Sequence, residues 1–547
     1  MTPITPSWLE STVFYELYPQ SFLDTNSDGI GDIEGIIRKL DYIKSLGANA
    51  IWLNPCFASP FRDAGYDVED FYAVAPRYGN NADLVRLFEA AHQRGMKVCL
   101  DLVAGHTSDQ HPWFRSSCSA KRNKYSNWYV WTNSVWEEGD NMIRGYGDRD
   151  GNFLTNFFYH QPSLNYGYAN PDPTKPWQLP VSHPDVQAVR AELFKIMRYW
   201  LDLGADGFRV DMAHSLVKAD PDLKETMAFW ADVRAMFDLD YPEAVLMSEW
   251  SDPAKAILAG FHVDFMLAFG KPPAYTSLLR KEKGRDLNPS AQDGHSYFDK
   301  EGKGNIREFL DTYLEHYLII KDKGYITIPT GNHDCPRLAM GRTQEELMTV
   351  FAMIMTMPGI PFIYNGDEIG MRQVECLISK EGGYSRTGAR TPMQWDRTLN
   401  AGFSDAASSN LYLPVDPDPG RPNVYDQESD PMSLLNVVRR LARLRKEHSA
   451  LCADGNFIPL YAEPGKYPFI YQRSNASGDF VIAINPSAQP VQASFCGSHR
   501  IGSLHKIEGN KVRCQVVNAD FQLEMPGISY AIFKCGAPFG SGLRNNN

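Results

Sequence analysis

An α/β fold, and within that class a (β/α)8 TIM barrel, is what this 547-residue sequence predicts. Three observations predict it. Apolar, β-branched runs alternate with amphipathic helical patterns over most of the chain, and about eight such runs precede a change of character near Leu451. Polar clusters recur at or just past the C-terminal ends of the third, fourth, fifth and seventh runs, the end of a barrel where loops converge over a rigid core.

The first elements set the pattern. VFYELYP, GIIRKLDYIKSLG, ANAIWLNP, NADLVRLFEAAHQRG and MKVCLDLV read as strand, helix, strand, helix, strand. Leu84, Leu87, Phe88 and Ala91 recur at helical spacing, and Gly47 and Gly95 stand where helices stop. From Thr107 to His183 the alternation gives way to Asn, Tyr, Trp, Gly and Pro, a stretch too long for a bare loop and expected to be an inserted domain. Helical pattern resumes near Asp185, followed by strand ADGFRV, helix DLKETMAFWADVRAMFD and strands AVLMSEW and HVDFMLAF. A polar excursion, DLNPSAQDGHSYFDKEGKGN, precedes a helix from about Ile306 to Lys321. GYITIPTGNHD and the run ending GIPFIYNG supply two late strands, and SLLNVVRRLARLRKEH a last helix. PFIYQRS, DFVIAINP, VQASF and YAIFK then read as antiparallel strands. The expected divisions are a barrel over 1–106 and 184–450, an insertion over 107–183, a C-terminal β domain over 451–540 and a tail over 541–547. An open dinucleotide-binding sheet is the competing architecture, but no glycine-rich fingerprint follows the first strand.

Composition narrows the classes of function. A formal net charge of −12 gives no basic excess for a nucleic-acid surface. No stretch approaches the roughly 20 apolar residues of a membrane helix. The N-terminus lacks a basic segment followed by an apolar run, and the nine cysteines have no paired spacing. A reduced, cytoplasmic setting without membrane or nucleic-acid partner is expected.

The polar clusters carry the chemistry: DLVAGH (Asp101 to His106), GFRVDMAH (Gly207 to His214), SEW around Glu249, and GNHD (Gly331 to Asp334). Arg209 stands two residues before Asp211 on the same face of a strand, where its guanidinium is expected to keep Asp211 ionised. Glu249, flanked by Trp250 and the apolar VLM, is expected to hold a proton at neutral pH. An ionised carboxylate beside a protonated one is the division of labour in retaining glycosidases. Asp334, with His333, and His106 can hold sugar hydroxyls. A single strand-end Asp is ordinarily a cap and a single His ordinarily a packed residue. Their recurrence at successive strand ends, with Arg and His companions, favours a site.

These clusters resemble the four conserved regions of the α-amylase family of glycoside hydrolases, and the similarity extends over nearly the whole chain. The resemblance implies Asp211 as nucleophile, Glu249 as general acid/base and Asp334 as transition-state stabiliser. It also implies Arg209, His106 and His333 as sugar-binding companions with Asp101 behind them. The insertion and the β-rich C-terminus match the family's B and C domains. DAGYDV resembles the segment whose tyrosine, Tyr66, stacks under the sugar. ARTPMQWD and NAGFS resemble oligo-1,6-glucosidases, other α-glucosidases and trehalose synthases. In their exo-acting members, residues matching Asp63 and Arg390 pair to wall off the pocket, and Arg337 is implied as a further sugar ligand. DTNSDGIGD resembles an EF-hand-like calcium loop: Asp24, Asn26, Asp28, Asp32 and the Ile30 carbonyl, around Gly29, suit a structural Ca²⁺ or Mg²⁺.

The chain departs from the family pattern at Gly105, where many α-amylases carry a calcium-binding asparagine, and at Ser163, where oligo-1,6-glucosidases carry an aspartate. Met212 and His214 follow the nucleophile, at positions tied to linkage and aglycone preference. The expected function is a retaining, exo-acting α-glucosidase on short α-glucosides or maltooligosaccharides, with accompanying transglycosylation. The alternatives are a trehalose-synthase-like isomerase and an endo-acting α-amylase, the latter preferred if Asp63 and Arg390 stand too far apart. A catalytically dead, transporter-associated relative is disfavoured by the intact carboxyls.

Overall fold

The computed structural model describes residues 5–281, 294–496, 501–517 and 520–536. Eight parallel strands form its central sheet: β1 (Phe14–Leu17), β2 (Ala50–Leu53), β3 (Lys97–Val103), β4 (Gly207–Asp211), β5 (Val245–Ser248), β6 (Val263–Phe265), β7 (Tyr325–Thr327) and β8 (Phe362–Tyr364). They lie in the order β7-β6-β5-β4-β3-β2-β1-β8. The remaining seam is drawn together by two backbone hydrogen bonds, Ile360 N–H to the Ile326 carbonyl at 3.2 Å and Thr330 N–H to the Phe362 carbonyl at 3.1 Å. This is the barrel the sequence predicts.

Strand periodicity sorts the side chains. Phe14, Ala50, Trp52, Cys99, Val245, Met247, Val263, Phe265 and Phe362 form one buried cluster inside the sheet, with the Phe14 and Phe362 rings stacked at 4.4 Å. Their sequence neighbours Tyr15, Ile51, Leu53, Val98, Leu100, Val210 and Leu246 belong to the larger core shared with the helices. One face of each strand thus plugs the barrel and the other seats its helix. On top of the aromatic plug the inward positions turn polar, at Glu16, Asp101, Arg209 and Asp211, all buried.

The helices start where capping residues put them. Asn80 and Asp83 form a capping box on Asn81–Gln93, and Thr343 and Glu346 another on Gln344–Thr356. One predicted helix differs. The pattern after β1 is two short helices, Ile33–Arg38 and Leu40–Ser45, broken at Lys39, whose ammonium lies 4.0 Å from the Trp395 ring. That anchor accompanies a backbone outside the helical region at Lys39.

Between β3 and β4 the chain leaves the barrel to form a helix, Pro112–Ser117, and a hairpin, Met142–Arg144 with Asn152–Leu154. Phe114, Tyr129, Trp131 and Phe153 pack this insertion ring against ring. It returns to the barrel through a bridge between His106 and Ser163. The C-terminal region folds into a five-stranded antiparallel sheet facing a three-stranded one (Val491–Cys496, Asp520–Met525, Arg513–Val517), closed on Ile470, Val481, Phe495, Phe521, Leu523 and Phe533.

Arg445 and Arg473 staple this β region to the barrel. Arg445 donates to the carbonyls of Met355, Met357, Leu451 and Gly359, and Arg473 to those of Thr356, Cys452, Gly455 and Asn456. The carbonyls of 355–357 are the orphan acceptors at the end of helix Gln344–Thr356. All nine cysteines are free thiols, and no helix among the described residues is long and apolar enough to cross a membrane. The predicted tail and much of the excursion beginning at Asp286 lie outside the described residues.

Candidate active site

A pocket of about 630 Å³ opens at the C-terminal ends of the barrel strands. Asp63, Tyr66, His106, Asp211, Glu249 and Asp334 line it, as the sequence predicts. Met212, His214 and Cys335 also reach it, with Phe157, Phe158, Phe269 and Tyr384 as an aromatic surround.

β4 and β5 deliver the first two carboxyls. Gly207 opens β4 at φ +146°, where a Cβ would meet the Val245 carbonyl at 2.1 Å, so only glycine lets β4 lie this close to β5. Asp211 ends the strand, and the chain turns at Met212 in the left-handed region, φ +43°. The Met212 N–H thereby donates to Glu249 Oε2 at 2.9 Å. Arg209, 1% exposed, reaches Asp101 at 3.0 Å, Asp211 at 3.2 Å and Glu249 at 2.5 Å. Asp101 is braced further by Trp52 Nε1 (3.1 Å) and the Tyr66 hydroxyl (2.9 Å).

This sharing changes the expected electrostatics. Burial, and then the adjacent Glu249, push the Asp211 carboxyl well above the usual carboxylate range, against the pull of Arg209. The sequence reading has Arg209 keep Asp211 ionised. In the structure one guanidinium faces three buried carboxyls, and a single positive charge does not hold all of them ionised. Asp211 is the carboxyl on which this shortage falls, with burial and the neighbouring Glu249 both raising it. Asp264, on β6, steadies the second member. Its Oδ1 accepts from the Ser248 hydroxyl at 2.7 Å and the Trp250 N–H at 3.1 Å, gripping the residues on either side of Glu249. Burial pushes the Asp264 carboxyl up to about 8.

Asp334 sits in the opposite kind of field. Burial would raise its carboxyl, but His333, Arg386 and Arg390 hold it well below the usual range. Arg386 donates to its Oδ1 at 2.6 Å and Arg390 at 2.9 Å. His333 is fully buried behind it, 3.3 Å from Asp334 and 2.8 Å from Glu16, with the Tyr66 hydroxyl at 2.6 Å. Burial opposes its charge, yet Asp334 and Glu16 push the imidazole up to about 9. His106 is the contrast: burial pulls it down to about 3, and its ring lies 3.1 Å from both the Tyr66 carbonyl and the Asn156 amide.

Two expected positions are corrected. Asp63 does not pair with Arg390, whose guanidinium is taken by Asp334 and the His333 carbonyl. The cation nearest Asp63 is Arg386, at 4.0 Å, and Gln161 donates to Asp63 at 2.7 Å. Arg386 thus stands between the two carboxyls expected to hold the terminal sugar. Burial pushes the Asp63 carboxyl up to about 7. Arg337 is not at the pocket wall. Its fully buried guanidinium donates to the Asn365 carbonyl and Asp367 and lies 4.3 Å from the Tyr364 ring. Arg209 and His333 likewise act from behind the wall.

Sequence reasoning missed Glu16, Gln161, Asp264 and Arg386. Glu16 had a signal, being a lone acid inside the buried run FYEL. Arg386, four residues before Arg390, had only the doubling of arginines in SRTGAR.

The predicted cation loop is a chain of side-chain-capped turns. Asp24 accepts from the Asn26, Ser27 and Gly29 N–H groups, Asn26 from Asp28, and Asp28 from Ile30. Asp32 Oδ1 caps the helix at Gly35 and its Oδ2 takes Thr25. The donor set, all hard oxygens, suits Ca²⁺ or Mg²⁺. The carboxylate oxygens of Asp24, Asp28 and Asp32 do not gather within 4.8 Å of one another.

The catalytic-domain model of α-amylase matches residues 16–454. The chain belongs to the α-amylase family of glycoside hydrolases. It is 32% identical over 532 residues to the trehalose synthase/amylase TreS of Mycobacterium tuberculosis, covering 90% of this chain and 84% of that one. It is 31% identical to the oligo-1,6-glucosidase of Parageobacillus thermoglucosidasius, covering 87% and 90%. Among solved structures it is similar to a mutant isomaltulose synthase from Erwinia rhapontici NX5 in complex with sucrose. The TM-score there is 0.78 at 25% identity, over 97% of this chain and 99% of that one. A glucose-bound mutant of MutB gives a TM-score of 0.80 at 26% identity, over 97% and 100%.

Proposed function

We propose that this family member is a retaining, exo-acting α-glucosidase on short α-glucosides, working by double displacement with some transglycosylation. The observation that carries the reading is the pair Asp211 and Glu249 on adjacent strand ends at the pocket wall, both reached from behind by Arg209. The reading requires Asp211 to be ionised and Glu249 to carry a proton once a glycosidic oxygen is in place. The Asp211 carboxylate then attacks the anomeric carbon, Glu249 protonates the departing oxygen, and the glycosidic bond breaks. A covalent glucosyl ester on Asp211 results. Glu249, now a carboxylate, takes a proton from water or a sugar hydroxyl, whose oxygen displaces Asp211 and restores the α configuration. Retaining chemistry asks for about 5–5.5 Å between the two carboxyls, which neighbouring barrel strands can supply. Asp334, kept ionised by its cationic neighbours, holds sugar hydroxyls and faces the charge developing on the ring.

The Asp63–Arg390 pair on which the exo expectation depends does not form, so the exo reading rests instead on the group around Asp63 at the pocket wall. Arg386, rather than Arg390, stands by Asp63 there, with Gln161 alongside, and we assign this group to the terminal sugar. A second reading is an isomerase, which re-adds the freed sugar before water arrives. The relatives named trehalose synthase and isomaltulose synthase favour it, as do the aromatic side chains Phe157, Phe158, Phe269 and Tyr384 at the pocket. Chromatography of products from maltose, isomaltose, sucrose and maltoheptaose separates the readings. Glucose released from chain ends is the result expected. Trehalose from maltose, or isomaltulose from sucrose, selects the isomerase, and mixed oligosaccharides from maltoheptaose select an endo-acting amylase.

We also propose that Asp24, Asn26, Asp28, Asp32 and the Ile30 carbonyl hold a structural Ca²⁺, or Mg²⁺ in its place. Its part would be to fix the loop after β1, with no step in the chemistry.

A further inference from the structure

The insertion between β3 and β4 contains a second pocket, of about 90 Å³, separate from the catalytic one. Arg122 and Arg149 flank it, Trp131 and Trp177 form buried walls, and Asn127 and Asn165 complete its polar rim. Arg149 lies 4.9 Å from the Trp131 ring and donates from Nη1 to the Ser126 carbonyl and, at 3.4 Å, to that of Ser117. Arg122 donates to Asn127 Oδ1 at 2.9 Å.

What the two guanidiniums lack is a carboxylate in ion-pair contact. Among the described residues no carboxylate makes an ion pair with either guanidinium. Glu137 accepts a hydrogen bond from the Trp177 indole, Asp185 from the Asn127 amide at 2.7 Å and Asp150 from the Val135 N–H at 2.9 Å, and none of the three reaches ion-pair distance of either guanidinium. Burial first and the like charge of Arg122 second pull the Arg149 guanidinium down to about 10. Holding two cations at one small cavity without an acid costs free energy that a bound anion would return. The cavity is too small for a sugar ring with its hydroxyls and is rimmed by guanidinium forks and amides, the geometry that suits a tetrahedral oxyanion.

We propose that Arg122 and Arg149 bind a phosphate-sized oxyanion in the inserted domain, each offering N–H groups to its oxygens, with Trp131 holding the Arg149 fork flat. Free phosphate and the phosphoryl group of a hexose phosphate present the same chemistry. The full-length protein would be titrated calorimetrically with inorganic phosphate, with glucose 6-phosphate, and with chloride at matched ionic strength. Saturable binding of either phosphate, absent for chloride, is expected. Equal affinities assign the site to free phosphate, and a tenfold preference for glucose 6-phosphate assigns it to a phosphoryl carried on a sugar. Arg122→Gln should weaken binding at least tenfold, and Arg149→Gln should abolish it. Because the Arg122 side chain is exposed, Arg122→Glu tests the same site without disturbing the packed ring, and it should abolish binding even if the Arg149 variant fails to fold. Phosphate behaving like chloride, or Arg122→Glu binding as the wild type does, would overturn the proposal.

Discussion

Two sets of fully buried guanidiniums, one under the catalytic pocket and one at the junction of barrel and C-terminal sheets, are satisfied in opposite ways. Arg209 faces the carboxyls of Asp101, Asp211 and Glu249. Arg445 and Arg473 face only backbone carbonyls. Burial opposes the charge at both places. At Arg209 the carboxyls outweigh it and raise the pKa further, whereas burial and the like charge of Arg473 pull Arg445 down to about 9. The junction uses arginine as a many-armed donor to helix-end carbonyls. The pocket uses it as one cation shared by three carboxyls, too few to hold all of them ionised. A surplus of carboxyl over cation is what glycosyl transfer needs, because one acid must give a proton while another attacks.

The largest effects should separate these regions cleanly. Asp211→Asn is expected to lower kcat on the order of 10⁴-fold or more with the thermal midpoint little changed; steady-state kinetics beside a melting curve shows whether the role is chemical. Arg209→Met should abolish activity and also cost about 3–5 kcal/mol of stability, since it strands buried carboxyls. Arg445→Met should do the reverse. It leaves several carbonyls unpaired at about 1–3 kcal/mol each and lowers the midpoint, while kcat of the folded fraction holds. A loss of kcat without a loss of stability at Arg445 would erase the contrast between the two regions.

Smaller effects sharpen it. The His333 pKa is raised to about 9 from 6.5. Its contribution to stability is therefore complete below pH 6.5 and is lost as pH rises through about 9. An alkaline limb near pH 9 is expected in both stability and kcat/KM, and His333→Gln should remove that limb along with most of the activity. Asp264→Asn should lower kcat about tenfold by loosening the two neighbours of Glu249. The loss should be smaller for glucosides whose leaving groups need no proton. Smallest is the cation loop: chelation should lower the midpoint by a few degrees, reversed by Ca²⁺, with kcat unchanged.

The barrel was legible because strand and helix periods are written in the apolar residues, and the Asp211 and Glu249 carboxyls at the pocket because they stand at strand ends. The strands Ser503–Gly509 and Arg513–Val517 were not, since both are largely exposed and carry no alternation. Asn456–Tyr461 hides behind Pro459 and a bulge. Within the site, residues that touch the pocket from strand ends were found, while the partners were not. Arg386 belongs to an irregular segment, and nothing local in SRTGAR says which arginine reaches Asp63. Arg337 misled for the same reason, since proximity in sequence to Asp334 does not fix which side of the wall a long side chain takes. Electrostatics was the least legible, because Arg209 is shared by carboxyls from three strands and the sequence displays only the pair two residues apart.

The central claim, that Asp211 is the attacking carboxylate, is met most directly by trapping. A slow 5-fluoroglucosyl fluoride should leave a covalent adduct, and peptide mass spectrometry of the inactivated protein should place it on Asp211. An adduct on Glu249 or Asp334, or β-glucose as the first product by proton magnetic resonance, would contradict the account.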